Sequence, residues 1–166
     1  MTPDLSLSVQ YGVEEPRLPR WRLRRWAERA LAAAAEDGLV EFSAAELSLR
    51  LVGAAEGRRL NRDFRQRDYA TNVLTFEYGV DPLGVARGDI VMCVPVLVRE
   101  AREQRKALLD HAAHLTLHGV LHSLGYDHIK ARDARRMEAL ETATLARMGI
   151  ADPYFCLLYT SPSPRD

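Results

Sequence analysis

His111-Ala112-Ala113-His114-Leu115-Thr116-Leu117-His118-Gly119-Val120-Leu121-His122-Ser123-Leu124-Gly125-Tyr126-Asp127-His128 holds all 5 histidines of a 166-residue chain. Four histidines scattered at random would join a fifth in such a window with a chance of about (18/166)^4, on the order of one in ten thousand. His118 and His122 stand four apart, which on a helix places both imidazoles on one face, a single turn from each other. Gly125 follows where a helix can stop in the left-handed conformation that glycine adopts without strain. The chain can then turn back and bring His128 to the same point. Three neutral imidazoles with one open position make the coordination of a catalytic zinc, whereas a closed structural site takes a fourth protein ligand.

Histidines at helical spacing more often mark a solvated face or a satisfied core pair, so the His118–His122 spacing alone carries little. The longer pattern, H-x-x-x-H-x-x-G-x-x-H, is the ligand frame of the metzincin proteases. There the residue after the first histidine is a glutamate serving as general base, and here it is Gly119. His111 and His114 lie on the same stripe toward the N-terminus. His114 lies about 6 Å of helix rise from His118 and could replace His122 as a ligand. Only His118 and His122 adjoin the Gly125 turn, so these two with His128 are the expected metal set. His114 is expected beside them as a hydrogen-bonding neighbour, and His111 as structural or exposed.

The apolar residues Ala112, Ala113, Leu115, Leu117, Val120, Leu121 and Leu124 surround the histidines on most sides, which predicts a central, buried helix over 109–124. Upstream, alternation predicts strands over 5–11 and 46–52, with Leu47, Leu49 and Leu51 on one face. Between them a helix is expected over 20–35, its other face carrying Arg22, Arg25 and Arg29, read as solvated. A short helix over 54–64 carries on its exposed side and exit Arg58, Arg59, Arg62, Arg65 and Arg67, the densest basic cluster, interrupted by Asp63 and Asp68. Strands are expected over 72–78 and 89–94, separated by a turn-rich loop through Asp81-Pro82 and Gly84. A short helix over 96–106 and a last helix over 131–148 complete the set, the last with Met137, Leu140, Thr144 and Met148 buried and with Glu138 and Glu141 on its polar face. Together these elements predict one α+β domain over 1–154, a small four-stranded mixed sheet packed with about five helices around the central histidine helix.

With 47% hydrophobic residues the chain is long enough for one core. The 23 basic and 23 acidic residues balance, so no global polycation draws it onto nucleic acid and any RNA contact must be local. All the basic residues except Lys106 and Lys130 are arginine, the side chain that grips phosphate with a planar fork. Cys93 and Cys156 form no paired-cysteine pattern. There is no leader pattern and no apolar run near the roughly 18 residues of a membrane span, so a cytoplasmic location is expected.

The run His118-Gly119-Val120-Leu121-His122-Ser123-Leu124-Gly125-Tyr126-Asp127-His128 resembles the H-G-x-L-H-x-x-G-Y-D-H signature of the bacterial YbeY family. The resemblance extends to Asn61, Phe64-Arg65 through Asp68, Thr71-Asn72-Val73-Leu74-Thr75-Phe76, Gly88-Asp89-Ile90, Met137-Glu138-Ala139-Leu140-Glu141 and Asp152-Pro153-Tyr154. Glu77 departs from it, since many members have proline there. The family implies a metal-dependent endoribonuclease acting on single-stranded RNA, with ribosomal RNA precursors as substrate. Proteins of the small ribosomal subunit are candidate partners, and no DNA or membrane partner is implied. Arg65 matches a functionally important position and is expected to clamp a phosphate. Asp89 reads equally as a strand-initiating turn residue or as the partner that fixes a ligand imidazole in its tautomer. Asp127 either orients His128, accepts a proton, or caps its own turn.

Residues 155–166, Phe-Cys-Leu-Leu-Tyr-Thr-Ser-Pro-Ser-Pro-Arg-Asp, begin where the resemblance stops and have little to bury. They are expected to be a disordered or non-native tail; the same codons in independent genomic DNA would show otherwise. The chemistry expected of the site is hydrolysis with one zinc ion, which lowers the pKa of bound water to about 7 without a strong base beside it. Three imidazoles also suit copper, nickel and iron. A zinc peptidase or amidohydrolase on the metzincin-like frame, and a non-catalytic ribosome-assembly factor whose metal only holds the fold, are the competing readings.

Overall fold

Leucines alternating with polar residues make β1 (Asp4–Tyr11) and β2 (Ala44–Val52) strands with one apolar face, and Leu47, Leu49 and Leu51 are buried on it. The computed structural model describes residues 3–127 and 129–154, so the expectations for His128 and for 155–166 fall outside the described residues. The chain continues from β1 into α1 (Arg20–Asp37), then β2, α2 (Ala54–Arg65), β3 (Val73–Val80), β4 (Val85–Cys93), α3 (Val94–Glu103), α4 (Leu108–Ser123) and α5 (Ala131–Arg147). The four strands form one sheet in the order β1-β2-β4-β3, with β1, β2 and β4 parallel and β3 antiparallel to β4. The expected α+β architecture of a four-stranded mixed sheet and five helices is what the described residues show.

β4 begins at Val85, four residues before the expected start. Val85-Ala86-Arg87-Gly88 has little strand propensity of its own. Pairing with Ala44–Leu47 on one side and with β3 on the other holds it extended, past an irregularity between Glu77 and Gly79. α3 starts two residues earlier than expected because Pro95 fits its first turn.

Register decides which side chains meet the histidine helix. Leu49 pairs with Ile90, and Ile90 with Thr75, so Thr75 of β3 points to the same face as the buried Ile90 and Met92. α4 covers that face and is enclosed by α1, α3 and α5. Its residues His111 through Leu117, and Gly119 through Leu121, are buried. The enclosed, central helix expected from its all-round apolar character is therefore present. The opposite sheet face is polar toward β1 and is covered at one end by α2, where Gly57 approaches Cys93.

α4 rides close to β4 at two glycines. A Cβ on Gly88 would lie 2.7 Å from Ser123 Cβ, and one on Gly119 would lie 2.9 Å from Ile90 Cγ2. Ile90 Cγ2 is a branch near the backbone and cannot swing aside. The Gly119→Ala substitution is therefore expected to destabilise by about 1–3 kcal/mol from overpacking, against a helix-propensity gain of about 1 kcal/mol. A loss of a few degrees in the melting temperature, read by circular dichroism, is the expected outcome; an increase would show that the contact has room.

Candidate active site

The Gly125 turn forms as the sequence predicts. α4 ends at Ser123, Gly125 takes φ +108°, its N–H donates to His122 O at 3.0 Å, and the Tyr126 N–H donates to Leu121 O at 3.1 Å. This pair of bonds satisfies the last carbonyls of the helix and turns the chain back. Tyr126 is buried behind the turn, and its hydroxyl donates to Asp37, which also receives Arg136 at 3.1 Å. The segment leading to Asp127 is thus fastened to both α1 and α5.

On α4, the His118 and His122 rings lie with centroids 6.3 Å apart and planes at 40°. Each is fixed through Nδ1. His118 Nδ1 lies 2.8 Å from Glu141 Oε2, and His122 Nδ1 lies 2.8 Å from Thr75 Oγ1. An ionised carboxylate only accepts, so His118 Nδ1 carries the proton and Nε2 the lone pair. Thr75 anchors the His122 ring at the same nitrogen, with a hydroxyl that can accept or donate in place of a carboxylate that only accepts.

Glu141 is fully buried. Its Oε1 accepts from His114 Nε2 at 2.9 Å and from the Tyr154 hydroxyl at 2.6 Å. Burial alone would raise its pKa, but the hydrogen bonds from His114 and His118 outweigh it and hold the carboxyl down at about 2. His114 is pushed the other way, its pKa lowered by burial more than Glu141 restores it, so a neutral ring donates through Nε2. His114 is therefore a neighbour of the site linked to His118 through one carboxylate. Glu141, expected on the polar face of its helix, is instead buried. It falls on the buried stripe with Met137, Thr144 and Leu145, and a carboxylate at such a position must find donors. Glu138 on the same helix is only partly buried.

Arg65 ends α2 beside β3. Its Nη2 donates to Thr75 O at 2.7 Å, and its guanidinium lies 4.7 Å over the Phe76 ring. Thr75 thus receives Arg65 on its carbonyl and faces His122 with its hydroxyl. Asp127 Oδ1 accepts from Ile129 N–H at 3.0 Å, as a turn-capping residue would. Burial first, and the charge of Asp127 second, raise the pKa of Glu77 across from it.

Asp89 fits neither of its expected roles. It sits in the middle of β4, and its strand parity is opposite to that of Gly88 and Ile90, which face α4. Its carboxylate accepts from Ser48 at 2.6 Å and Tyr78 at 2.7 Å on the far side of the sheet. His111 takes the structural branch of its expectation, buried with Nε2 2.9 Å from Glu100. Among the described residues no three metal-binding side chains converge, and the third expected donor, His128, lies outside them. The donor chemistry that is present fits a metal, because two imidazoles one helical turn apart both have Nδ1 engaged by an oxygen partner. Among the described residues no helix is long and apolar enough to cross a membrane.

The family described as "Endoribonuclease YbeY" matches residues 9–149. Proteins named Endoribonuclease YbeY include one from Bordetella avium, 78% identical over 92% of this chain and 94% of its own. Another, from Bordetella petrii, is 82% identical over 93% and 99%, and one from Acidovorax sp. is 50% identical over 90% and 95%. The solution structure of TM1509 from Thermotoga maritima matches the fold with a TM-score of 0.57 at 20% identity, covering 96% of this chain and 99% of that one. On the match across most of its length and on these identities, the chain belongs to the YbeY endoribonuclease family.

Proposed function

We propose that this chain is a metal-dependent endoribonuclease that cleaves single-stranded RNA, with ribosomal RNA precursors as substrate. One zinc ion would be held by His118, His122 and His128, and the work would be done in the cytoplasm beside proteins of the small ribosomal subunit. The observation that carries the reading is the anchoring of His118 and His122 through Nδ1, which holds both rings in orientation and, at His118, leaves Nε2 the lone pair a metal ligand needs. When bound, the ion supplies a Lewis acid for a phosphoryl oxygen and acidifies water.

The chain's own residues do the rest. Glu141 and Thr75 orient the imidazoles, and His114 and Tyr154 hold Glu141 in place. Arg65 presents five N–H donors, one of which is strongly engaged by Thr75, so the remainder can meet the charge that grows on a phosphodiester. Asp127, one residue beyond buried Tyr126, would orient His128 or take up a proton. Phe64 is 60% exposed next to Arg65 and lies edge-on at 5.5 Å to Phe76, the ring that the Arg65 guanidinium covers. Aromatic faces of this kind suit unpaired bases and have nothing to stack on in a duplex.

The peptidase reading loses ground at Gly119. A glutamate there must begin with a Cβ 2.9 Å from Ile90, so the general base of that mechanism has no place to stand. The test is metal analysis of protein purified without added metal, joined to cleavage of single-stranded and duplex RNA with and without chelator. About one zinc per chain, cleavage of the single strand, loss on chelation and return with zinc are expected. Cleavage undiminished in metal-free protein would overturn the reading, and cleavage of casein without RNA would put the peptidase first.

A further inference from the structure

Arg25 and Arg29 of α1 are exposed, as expected of a solvated face, and with the partly buried Arg22 they line an open pocket of about 390 Å³ beside Trp21 and Trp26. The pocket lies where α1 meets the start of α4 and the end of α5, with Asp110 the single acid on its wall. Asp110 precedes His118 by eight residues, about 12 Å of helix rise, so this is a separate place from the histidine centre.

Three features set these arginines apart. Among the described residues none of the three has an ion pair, whereas Arg24 on the same helix pairs with Glu28 at 3.4 Å. Arg22 Nε is buried with no hydrogen-bond partner, and its guanidinium lies 4.8 Å over the Trp21 ring. The end of α5 does not need Arg22 as a cap, because Gly149 N–H and Ile150 N–H already donate to Ala146 O and Leu145 O. Uncompensated cationic forks in a concave wall draw anions and suit phosphate. Trp21 is 59% exposed and offers an indole face beside them.

We propose that this pocket binds a nucleotide unit, its phosphate held by Arg22, Arg25 and Arg29 and its base stacked on Trp21. The unit can come from the RNA chain, making the pocket a second anchor for the substrate, or from a free mononucleotide. The RNA source rests on the endoribonuclease reading, and binding is measured separately from cleavage.

The chain has 2 tryptophans and both line this pocket, so tryptophan-selective excitation reports on it; Trp21 also borders two neighbouring pockets, which Arg25 and Arg29 do not line, so a variant at those two positions assigns the signal. The full-length protein is mixed with a single-stranded RNA oligonucleotide, with adenosine monophosphate and with inorganic phosphate, and read by stopped flow before cleavage proceeds. Saturable quenching, with affinity at least about 10-fold weaker in an Arg25→Ala/Arg29→Ala variant and weaker in high salt, is expected. Quenching by RNA but not the mononucleotide assigns an RNA anchor; quenching by the mononucleotide but not RNA assigns a free-nucleotide site. No saturable response to either, or a response unchanged in the double variant, overturns the proposal. Quenching by a protein that cleaves no RNA would keep this pocket and sink the endoribonuclease reading, and cleavage without quenching would do the reverse.

Discussion

His118→Ala is expected to lower RNA cleavage by at least about 10³-fold while the protein stays folded. A Lewis acid at the reacting phosphate is worth several kcal/mol, and each 1.36 kcal/mol is roughly tenfold in rate, so losing one of the three proposed donors would remove most of that term. The fold should survive because α4 is held by Leu117, Val120 and Leu121, all fully buried, and not by the histidine. Glu141 would keep His114 and Tyr154 as partners. Circular dichroism and a fluorescent-oligonucleotide assay on one preparation check both halves. A variant that unfolds would favour a metal that only holds the fold, and with it the assembly-factor reading; a folded variant that still cuts RNA would remove His118 from the chemistry.

Glu141→Ala is expected to have the largest combined effect on stability and on metal binding. It leaves His114 Nε2, His118 Nδ1 and the Tyr154 hydroxyl facing the space where a buried carboxylate stood. A buried polar group left without its partner costs about 1–3 kcal/mol. With partial rearrangement, the three together are expected to lower the melting temperature by roughly 5–15 °C for a chain of this size. Carboxylates that orient a ligating imidazole typically contribute about 10–100-fold in metal affinity, and a competitive zinc titration should show a loss of that order. Unchanged zinc affinity in the folded variant would show that Glu141 serves stability alone. Thr75→Val probes the corresponding partner of His122 from the sheet side.

The architecture was legible wherever periodicity was strong. α4 announced itself by apolar residues on all sides and by the glycine that ends it, and β2 by three alternating leucines. The early part of β4 was not legible because Arg87 and Gly88 carry no strand signal, and only pairing on both sides holds them extended. Within the site, the one-turn spacing of His118 and His122 could be read from the motif, whereas the link from Arg65 through the Thr75 carbonyl toward His122 could not. Glu141 could have been found by asking which carboxylate shares a helical stripe with Met137 and Thr144. The face of Asp89 was also available in principle, since Ile90 and Met92 fix the parity of β4. Thr75 could not be found that way: its meeting with His122 depends on how β3 registers against β4 and how closely α4 settles on the sheet at Gly119.

Because His114 and His118 draw on the same carboxylate, their substitutions will not behave as independent events. Removing either ring frees an acceptor oxygen on Glu141 and alters what the other ring, and Tyr154, can hold on to. A double-mutant cycle across the two positions should therefore show a combined loss unequal to the sum of the single losses, with the difference vanishing once Glu141 itself is replaced. In this molecule the support beneath the proposed ligand is a shared resource, and damage reported at one histidine is partly a property of its neighbour one turn away.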